Sequence, residues 1–221
     1  VYMAFPPEAR DWAEANGFST PPDSYDAIQP VDTDPDVYIT STTMFADVRG
    51  EIEIIGTAAG LDLDYYRVLV GQGLNPPNWV QIGDDSGNLV NAEAGNPLTA
   101  EFLNGLYAVQ LQAVRTDQLV DTAVIQVTVD NTPPDVNITY PQDGDEMEYA
   151  PGRQITFQAT AADNLSLSIV EFYVDEKLVG SLDQAPFSLT WTARRGEHRL
   201  QVLARDRAGN ESEAEIEFRV E

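Results

Sequence analysis

Cysteine is absent from the 221 residues of the chain, and lysine and histidine occur once each, as Lys177 and His198. Without thiols there is neither a disulfide framework nor a thiolate nucleophile. A zinc site of the usual kind needs several His or Cys ligands, and one histidine cannot supply them. Cysteine-dependent chemistry and ordinary zinc catalysis are therefore excluded.

The sequence also lacks the motifs of several common active sites. A Ser-His-Asp triad would have to use His198, but no G-x-S-x-G nucleophile elbow occurs. The only candidate for a phosphate loop, Gly71-Gln72-Gly73, is typical of a turn between strands rather than of the entry to a helix. The many acidic residues form chance pairs, and no framework singles out one acid and one base. We predict a chain without a catalytic site and without a cofactor, calcium being the one metal that needs further consideration.

Basic residues are scarce: 12 Lys and Arg face 37 Asp and Glu, which gives a net charge of −25. The excess is −7 over residues 1–36 and −9 over each of the segments 37–130 and 131–221. A field of this sign repels a phosphate backbone and attracts divalent cations, so no nucleic-acid partner is predicted.

No apolar run is long enough to cross a bilayer, so we expect no membrane insertion. We expect a monomer, and a fragment or processed product because the first residue is Val1.

The first 36 residues differ in character from the rest. Residues 6–17 predict a short helix, with a proline in the first turn and an Asn-Gly stop. Residues 19–36 contain four prolines and five aspartates with little apolar content, which predicts an extended tether.

From residue 37 onward the apolar period is two. Short β-rich runs, each predicted to form a strand, are found at 37–41, 51–58, 65–71, 79–83, 106–114 and 122–130 in the first half, and at 136–141, 154–161, 169–175, 177–183, 187–193, 198–206 and 214–221 in the second. The two halves also repeat one another, since VYITS matches VNITY and LYAVQLQAV matches HRLQVLARD. Strands of this length and number predict an all-β fold of two tandem immunoglobulin-like sandwiches. The predicted domains are the helix and tether at 1–36, sandwich 1 at 37–131 and sandwich 2 at 132–221.

Alternation assigns the inward faces of these strands. The residues expected to face the core are Tyr66, Val68 and Val70 in the first half, and Val170, Phe172, Val174, Phe187, Leu189, Trp191, Leu200, Val202 and Ala204 in the second. His198 has the same parity as Leu200, so the one histidine is predicted to stand at the start of a core-facing row.

The two halves are joined by Asp130-Asn131-Thr132-Pro133-Pro134-Asp135, in which the prolines favour a short, stiff connection. Calcium binds six to eight oxygen ligands, and loops at one pole of a sandwich could provide them together with the linker. The candidate ligands are Asp130, Asn131, Asp135, Asp163, Asn164, Asp206, Asn210 and Glu211. No EF-hand spacing is present, and Asp and Asn also favour turns for their own conformational reasons, so turn stabilisation is the alternative.

One exposed aromatic is a candidate for ligand binding. Trp79 has the opposite parity to Val80 and Ile82, so it faces solvent if those two face the core, and an indole there could stack on a sugar ring together with Tyr65. The alternative is that Trp79 packs on the neighbouring prolines and fixes the loop.

Three stretches also carry a family resemblance. FPPEARDWAEANGFSTPP resembles the segment that closes the transpeptidase domain of class A, bifunctional penicillin-binding proteins, where a PPE-x-x-x-W helix precedes a Pro-rich exit. YYRVLVGQGLNPPNWVQIG, and VEFYVDEKLVGSLDQAPFSLTW followed by ARDRAGN, resemble the immunoglobulin-like or fibronectin type III-like modules that some of these enzymes carry as a C-terminal extension. The S-x-x-K and K-T-G motifs of the enzymes are absent, because Lys177 follows Val174 at the third position and precedes Leu178.

The resemblance implies an extracytoplasmic segment of a larger, membrane-anchored protein. Its expected role is that of a non-catalytic spacer or docking surface in cell-wall assembly, with peptidoglycan or cell-envelope proteins as partners. Two other functions remain open: carbohydrate binding, and a protein-binding, adhesin-like stalk of a different exported protein.

Overall fold

The computed structural model describes residues 36–86, 89–93 and 102–221 as an all-β structure, in agreement with the predicted fold class. The helix predicted at 6–17 and nearly all of the predicted tether lie outside these residues. In the described part no helix is long and apolar enough to cross a membrane.

The structure describes eight strands in the first sandwich. They are β1 Val37–Ile39, β2 Ala46–Val48, β3 Ile55–Ala58, β4 Leu63–Gln72, β5 Val80–Ser86, β6 Leu89–Glu93, β7 Gly105–Arg115 and β8 Val120–Val129. One sheet has the order β1-β3-β6 and the other the order β2-β8-β7-β4-β5.

The second sandwich also consists of eight strands. They are β9 Asp135–Tyr140, β10 Asp145–Met147, β11 Gln154–Ala162, β12 Leu167–Val174, β13 Lys177–Leu182, β14 Phe187–Thr192, β15 Gly196–Asp206 and β16 Glu211–Val220. Its sheets have the orders β14-β11-β9 and β10-β16-β15-β12-β13.

The two sandwiches share one topology, because adding eight to each strand number of the first gives the strand orders of the second. The pairing directions agree as well: β2 is parallel to β8 and β10 is parallel to β16, whereas the other pairs are antiparallel. The repeat seen in the sequence is thus a repeat of the whole strand arrangement.

Each sandwich has its own apolar core between its two sheets. Val68 and Val70 in the first, and Val170 and Phe172 in the second, are at most 1% exposed, as the alternation predicts. Trp191 and Leu189 pack against the second core while remaining partly exposed. His198 is buried and stands at the start of its core-facing row.

The loop between β4 and β5 folds back onto the first sandwich at Gly71. A Cβ atom added to Gly71 would lie 2.3 Å from Cβ of Pro76 and 2.8 Å from the carbonyl oxygen of Asn78. Only glycine leaves room for the proline at this point, so the close approach fixes the path of the loop that leads to Trp79.

Candidate functional site

Three aspartates that are distant in the sequence meet between the two sandwiches. Asp130 follows β8, Asp163 follows β11 and Asp206 ends β15. One carboxylate oxygen of each lies within 4.8 Å of an oxygen of the other two. Asp130 and Asp206 are only 3% and 2% exposed, and Asp163 is partly buried. We refer to these three residues as the junction cluster.

Asp206 is held by the turn that it begins. Its Oδ1 accepts a hydrogen bond from the backbone N–H of Asn210 at 2.8 Å, and its Oδ2 accepts one from Nδ2 of Asn210 at 2.7 Å. Gly209 supplies the left-handed conformation of the turn, with φ at +90°. The turn-stabilising role that Asp and Asn commonly have is therefore present here.

Asp163 is held by its loop through one oxygen only. Oδ2 accepts hydrogen bonds from the backbone N–H groups of Leu165 and Ser166, at 2.8 and 2.7 Å. Oδ1 is buried and has no hydrogen-bond partner among the described residues. A buried oxygen without a partner destabilises the fold, because it has lost its hydrogen bonds to water and forms none within the protein.

Asp130 joins the two sandwiches. Its backbone carbonyl accepts a hydrogen bond from Nδ2 of Asn210 at 2.8 Å, and its Oδ1 accepts one from Nδ2 of Asn164 at 3.2 Å. Within the first sandwich, Oδ1 also accepts from Nδ2 of Asn104 at 2.9 Å. Asparagine amides from both sandwiches thus meet at one aspartate.

No arginine, lysine or histidine neutralises the junction cluster within the described residues, since none of the ion pairs there involves its three carboxylates. Nε of Arg49 lies 3.5 Å from the position that a Cβ of Gly209 would take, in the turn that follows Asp206. The cluster concentrates negative charge in a place that is shielded from water.

The other candidate ligands divide into two groups. Asn164 and Asn210 contact the cluster as hydrogen-bond donors. Asn131 instead closes the first sandwich, because its Oδ1 accepts from the N–H of Gly50 at 2.8 Å. Asp135 is exposed at the start of β9, and Glu211 forms an ion pair with Arg205 at 2.6 Å. Of the eight predicted residues, three therefore form the junction cluster through their carboxylates, and two contact it through their side-chain amides.

Asn104 was missed by the sequence reasoning. Its Oδ1 accepts from the N–H of Asn131 at 2.9 Å, while Nδ2 donates to Asp130 and to Oγ1 of Thr132. The residue stands one position before β7, in an Asn-Gly pair that reads as an ordinary turn. Nothing in the local sequence indicates that it reaches the linker 26 residues away.

The two candidate aromatics lie apart. Trp79 is 37% exposed and immediately precedes β5, but Val80, which was expected to face the core, is 60% exposed, so the predicted alternation fails at this end of the strand. Val80 pairs with Val70 on β4, whereas Tyr65 pairs with Ser86 at the other end of the hairpin. Five residues along a strand correspond to about 17 Å, so Tyr65 and Trp79 do not form one stacking platform.

The single histidine resembles part of a catalytic triad but is differently arranged. Nδ1 of His198 lies 2.8 Å from Oδ2 of Asp175, and Nε2 lies 2.9 Å from the carbonyl oxygen of Arg194. The second nitrogen, which would serve as the base in a triad, therefore already faces a backbone acceptor. This agrees with the absence of a nucleophile elbow.

The electrostatics of Asp175 follow from this contact. Burial raises the pKa of Asp175, but the hydrogen bond with His198, the N–H of Arg199 and the charges of His198 and Lys177 lower it by more. The net result is a pKa below the ordinary value for an aspartate.

Comparison with known proteins supports the fold. Residues 134–202 match the family described as "Bacterial Ig domain". The fibronectin(III)-like modules of Clostridium thermocellum CbhA superimpose with a TM-score of 0.56 at 23% identity, over 84% of this chain and 94% of that chain. Both sandwiches are thus immunoglobulin-like or fibronectin III-like modules.

A second structure, murine CEACAM1b, covers 84% of this chain and 98% of its own at 11% identity, with a TM-score of 0.44. No curated protein is detectably similar to the chain. Modules of this class are typically non-catalytic and are usually extracellular. None of the similar proteins named here is a penicillin-binding protein.

Proposed function

We propose that the chain is a non-catalytic, extracytoplasmic pair of modules that acts as a spacer or docking segment with a fixed angle between its sandwiches. The observation that carries this proposal is the pair of hydrogen bonds that Asn210 and Asn164 of the second sandwich donate to Asp130 of the first. A flexible tether would leave these amides in water instead.

The linker itself favours the same conclusion. Pro133 and Pro134 restrict the backbone of the connection, and Pro134 is buried. Asn131 is bound to the first sandwich through Gly50, and β9 begins at Asp135. Few residues between the two modules are therefore free to rotate.

Spin-label distance measurements can test this rigidity. Because the chain has no cysteine, Thr122→Cys in β8 and Lys177→Cys in β13 provide two unique, exposed labelling sites, one in each sandwich. We expect a single narrow distance distribution, which broadens when Asn164→Ala or Asn210→Ala removes a bond across the junction.

Asn137→Ala, an exposed position on β9, is the matched control and should leave the distribution narrow. Thermal melting shows whether each variant remains folded. A broad distribution in the chain with an intact junction would refute a fixed angle.

For the host protein we propose a class A penicillin-binding protein, in which these modules would stand beyond the transpeptidase domain. The support is the resemblance of the segment FPPEARDWAEANGFSTPP, which lies outside the described residues. Reading the gene upstream of Val1 tests the proposal. A K-T-G motif in a transpeptidase domain is expected there, whereas another type of domain would favour an adhesin-like stalk.

Carbohydrate binding is a second candidate, favoured by the exposure of the Trp79 indole. If it holds, the chain is retained on insoluble peptidoglycan and Trp79→Ala lowers retention severalfold, because aromatic stacking contributes strongly to sugar binding. Tyr65→Ala, at the far end of the hairpin, serves as the control. Equal retention of both variants and the parent chain would remove this candidate.

A further inference from the structure

The junction cluster presents a chemical problem that the protein atoms described here do not solve. Three carboxylates approach one another within 4.8 Å, two of them almost fully buried, and no ion pair neutralises them in the described part of the chain. Like charges at such distances repel one another, and burial removes the water that would screen the repulsion.

The hydrogen bonds around the cluster satisfy all but one of its buried oxygens. Asp130 and Asp206 accept from asparagine amides and backbone N–H groups, and Oδ2 of Asp163 accepts from its own loop. Oδ1 of Asp163 is the one buried side-chain polar atom without a partner among the described residues. This atom belongs to a carboxylate that lies close to two others, so a bound cation could both satisfy the oxygen and offset the negative charge.

From these two observations we propose that Asp130, Asp163 and Asp206 bind one calcium ion between the sandwiches. Three carboxylates supply between three and six oxygens, and water can complete the six to eight that calcium prefers. The ligand set contains only oxygen, which suits a hard cation and not zinc. Carboxylates that can bind through one or two oxygens suit the flexible coordination of calcium better than the strict octahedral geometry that magnesium demands.

The site draws ligands from both modules, so calcium would contact Asp130 of the first together with Asp163 and Asp206 of the second. Its affinity is expected to fall near the range of extracellular modules, about 10⁻⁴ to 10⁻³ M. The inference does not depend on the spacer function, because an ion can bind whether or not the angle between the modules is fixed without it.

Asp163→Asn gives the sharpest test. The asparagine retains an oxygen for the N–H groups of Leu165 and Ser166, while its amide places a donor where Oδ1 of Asp163 has no partner. One negative charge is removed at the same time. In EDTA we expect the variant to melt at a higher temperature than the parent chain, because it relieves both repulsion and the orphaned oxygen.

In excess calcium, the parent chain is instead expected to melt at a higher temperature than Asp163→Asn. At a hundredfold excess of CaCl2 over Kd, the parent chain should gain about 5 °C or more in Tm, whereas Asp163→Asn gains little. Isothermal titration of the EDTA-treated chain with CaCl2 should show one site, weakened about tenfold or more in the variant. MgCl2 should bind more weakly than CaCl2.

Asp183→Asn, an exposed aspartate between β13 and β14, is the control for the change in net charge and should respond to calcium as the parent does. Asp206→Asn is a second test if Asp163→Asn fails to fold. The proposal is overturned if the parent chain shows no heat of calcium binding and no shift in Tm. It is equally overturned if MgCl2 binds as well as CaCl2, or if Asp163→Asn binds calcium like the parent.

Discussion

At the residue scale, the ring of His198 lies between two acceptors, Oδ2 of Asp175 and the carbonyl oxygen of Arg194. Both contacts are hydrogen bonds when both ring nitrogens carry a proton. The ring also lies against Trp191, with centroids 4.9 Å apart, and against Phe218 at 5.5 Å. The histidine thus joins the turn between β12 and β13 to the core instead of serving as a base.

Replacement of Asp175 tests this role through its pH dependence. Because the folded pKa of Asp175 lies below its unfolded value, its contribution to stability is complete above about pH 4 and is lost as the pH falls through the folded pKa. Asp175→Asn should lower the free energy of unfolding by about 0.5 kcal/mol near pH 6, a small amount because the carboxylate is half exposed.

The measurement is urea unfolding followed by tryptophan fluorescence in a background in which Trp12 and Trp79 are replaced by Phe, so that Trp191 is the remaining tryptophan. Glu176→Gln, in the same turn, is the control and should show no comparable loss near pH 6. A difference between Asp175→Asn and the parent chain that persists at pH 2 would contradict the assigned role.

The sequence predicts the inward-facing residues well but the junction cluster only in part. The burial of Val68, Val170 and Phe172 could be predicted because the alternation of apolar residues within one strand shows which of them face the core. The positions of the three aspartates instead depend on how loops that are distant in the sequence come together. Loop sequences have no repeating pattern from which this arrangement could be predicted. Asp135 and Asp163 read alike as linker or loop acids, yet only Asp163 reaches the cluster.

At the element scale, the hairpin β4–β5 depends on the absence of a side chain at Gly71. In Gly71→Ala the new methyl group would lie 2.3 Å from Cβ of Pro76, so the loop must shift. We expect a cost of about 1–3 kcal/mol in the free energy of unfolding of the first sandwich. In a background in which Trp12 and Trp191 are replaced by Phe, a change in the Trp79 emission of the folded chain should report the displaced loop.

Gly180→Ala in β13 is the matched control in the second sandwich. Its Cβ would lie 3.0 Å from Cδ1 of Leu189, the end of a flexible side chain that can move. A smaller loss of stability is expected. Equal losses in the two variants would show that the contact between Gly71 and Pro76 is not the constraint described here.

Most strands were predicted, and those that were missed have a common cause. β2 and β10 contain three residues each, too few to show alternation, and they exist because they pair with β8 and β16. A strand defined by a distant partner leaves little local signal. The same holds for β6, which pairs with β3.

At the scale of the whole molecule, the net charge of −25 acts on stability through self-repulsion. Salt screens such repulsion over about 10 Å at 0.1 M. We expect Tm in EDTA to rise as NaCl increases from about 0.01 to 0.5 M. A Tm that falls over this range would show that ion pairs such as Arg205–Glu211 outweigh the repulsion.

The parallel pairs β2–β8 and β10–β16 also have a mechanical consequence. In each sandwich a strand near the beginning of the module lies parallel to its last strand, with three residue pairs in register. Tension applied to the two ends of a module pulls such neighbours in opposite directions along their length. Their hydrogen bonds are then loaded together in shear and do not open one after another, so each module carries its own force-bearing clamp.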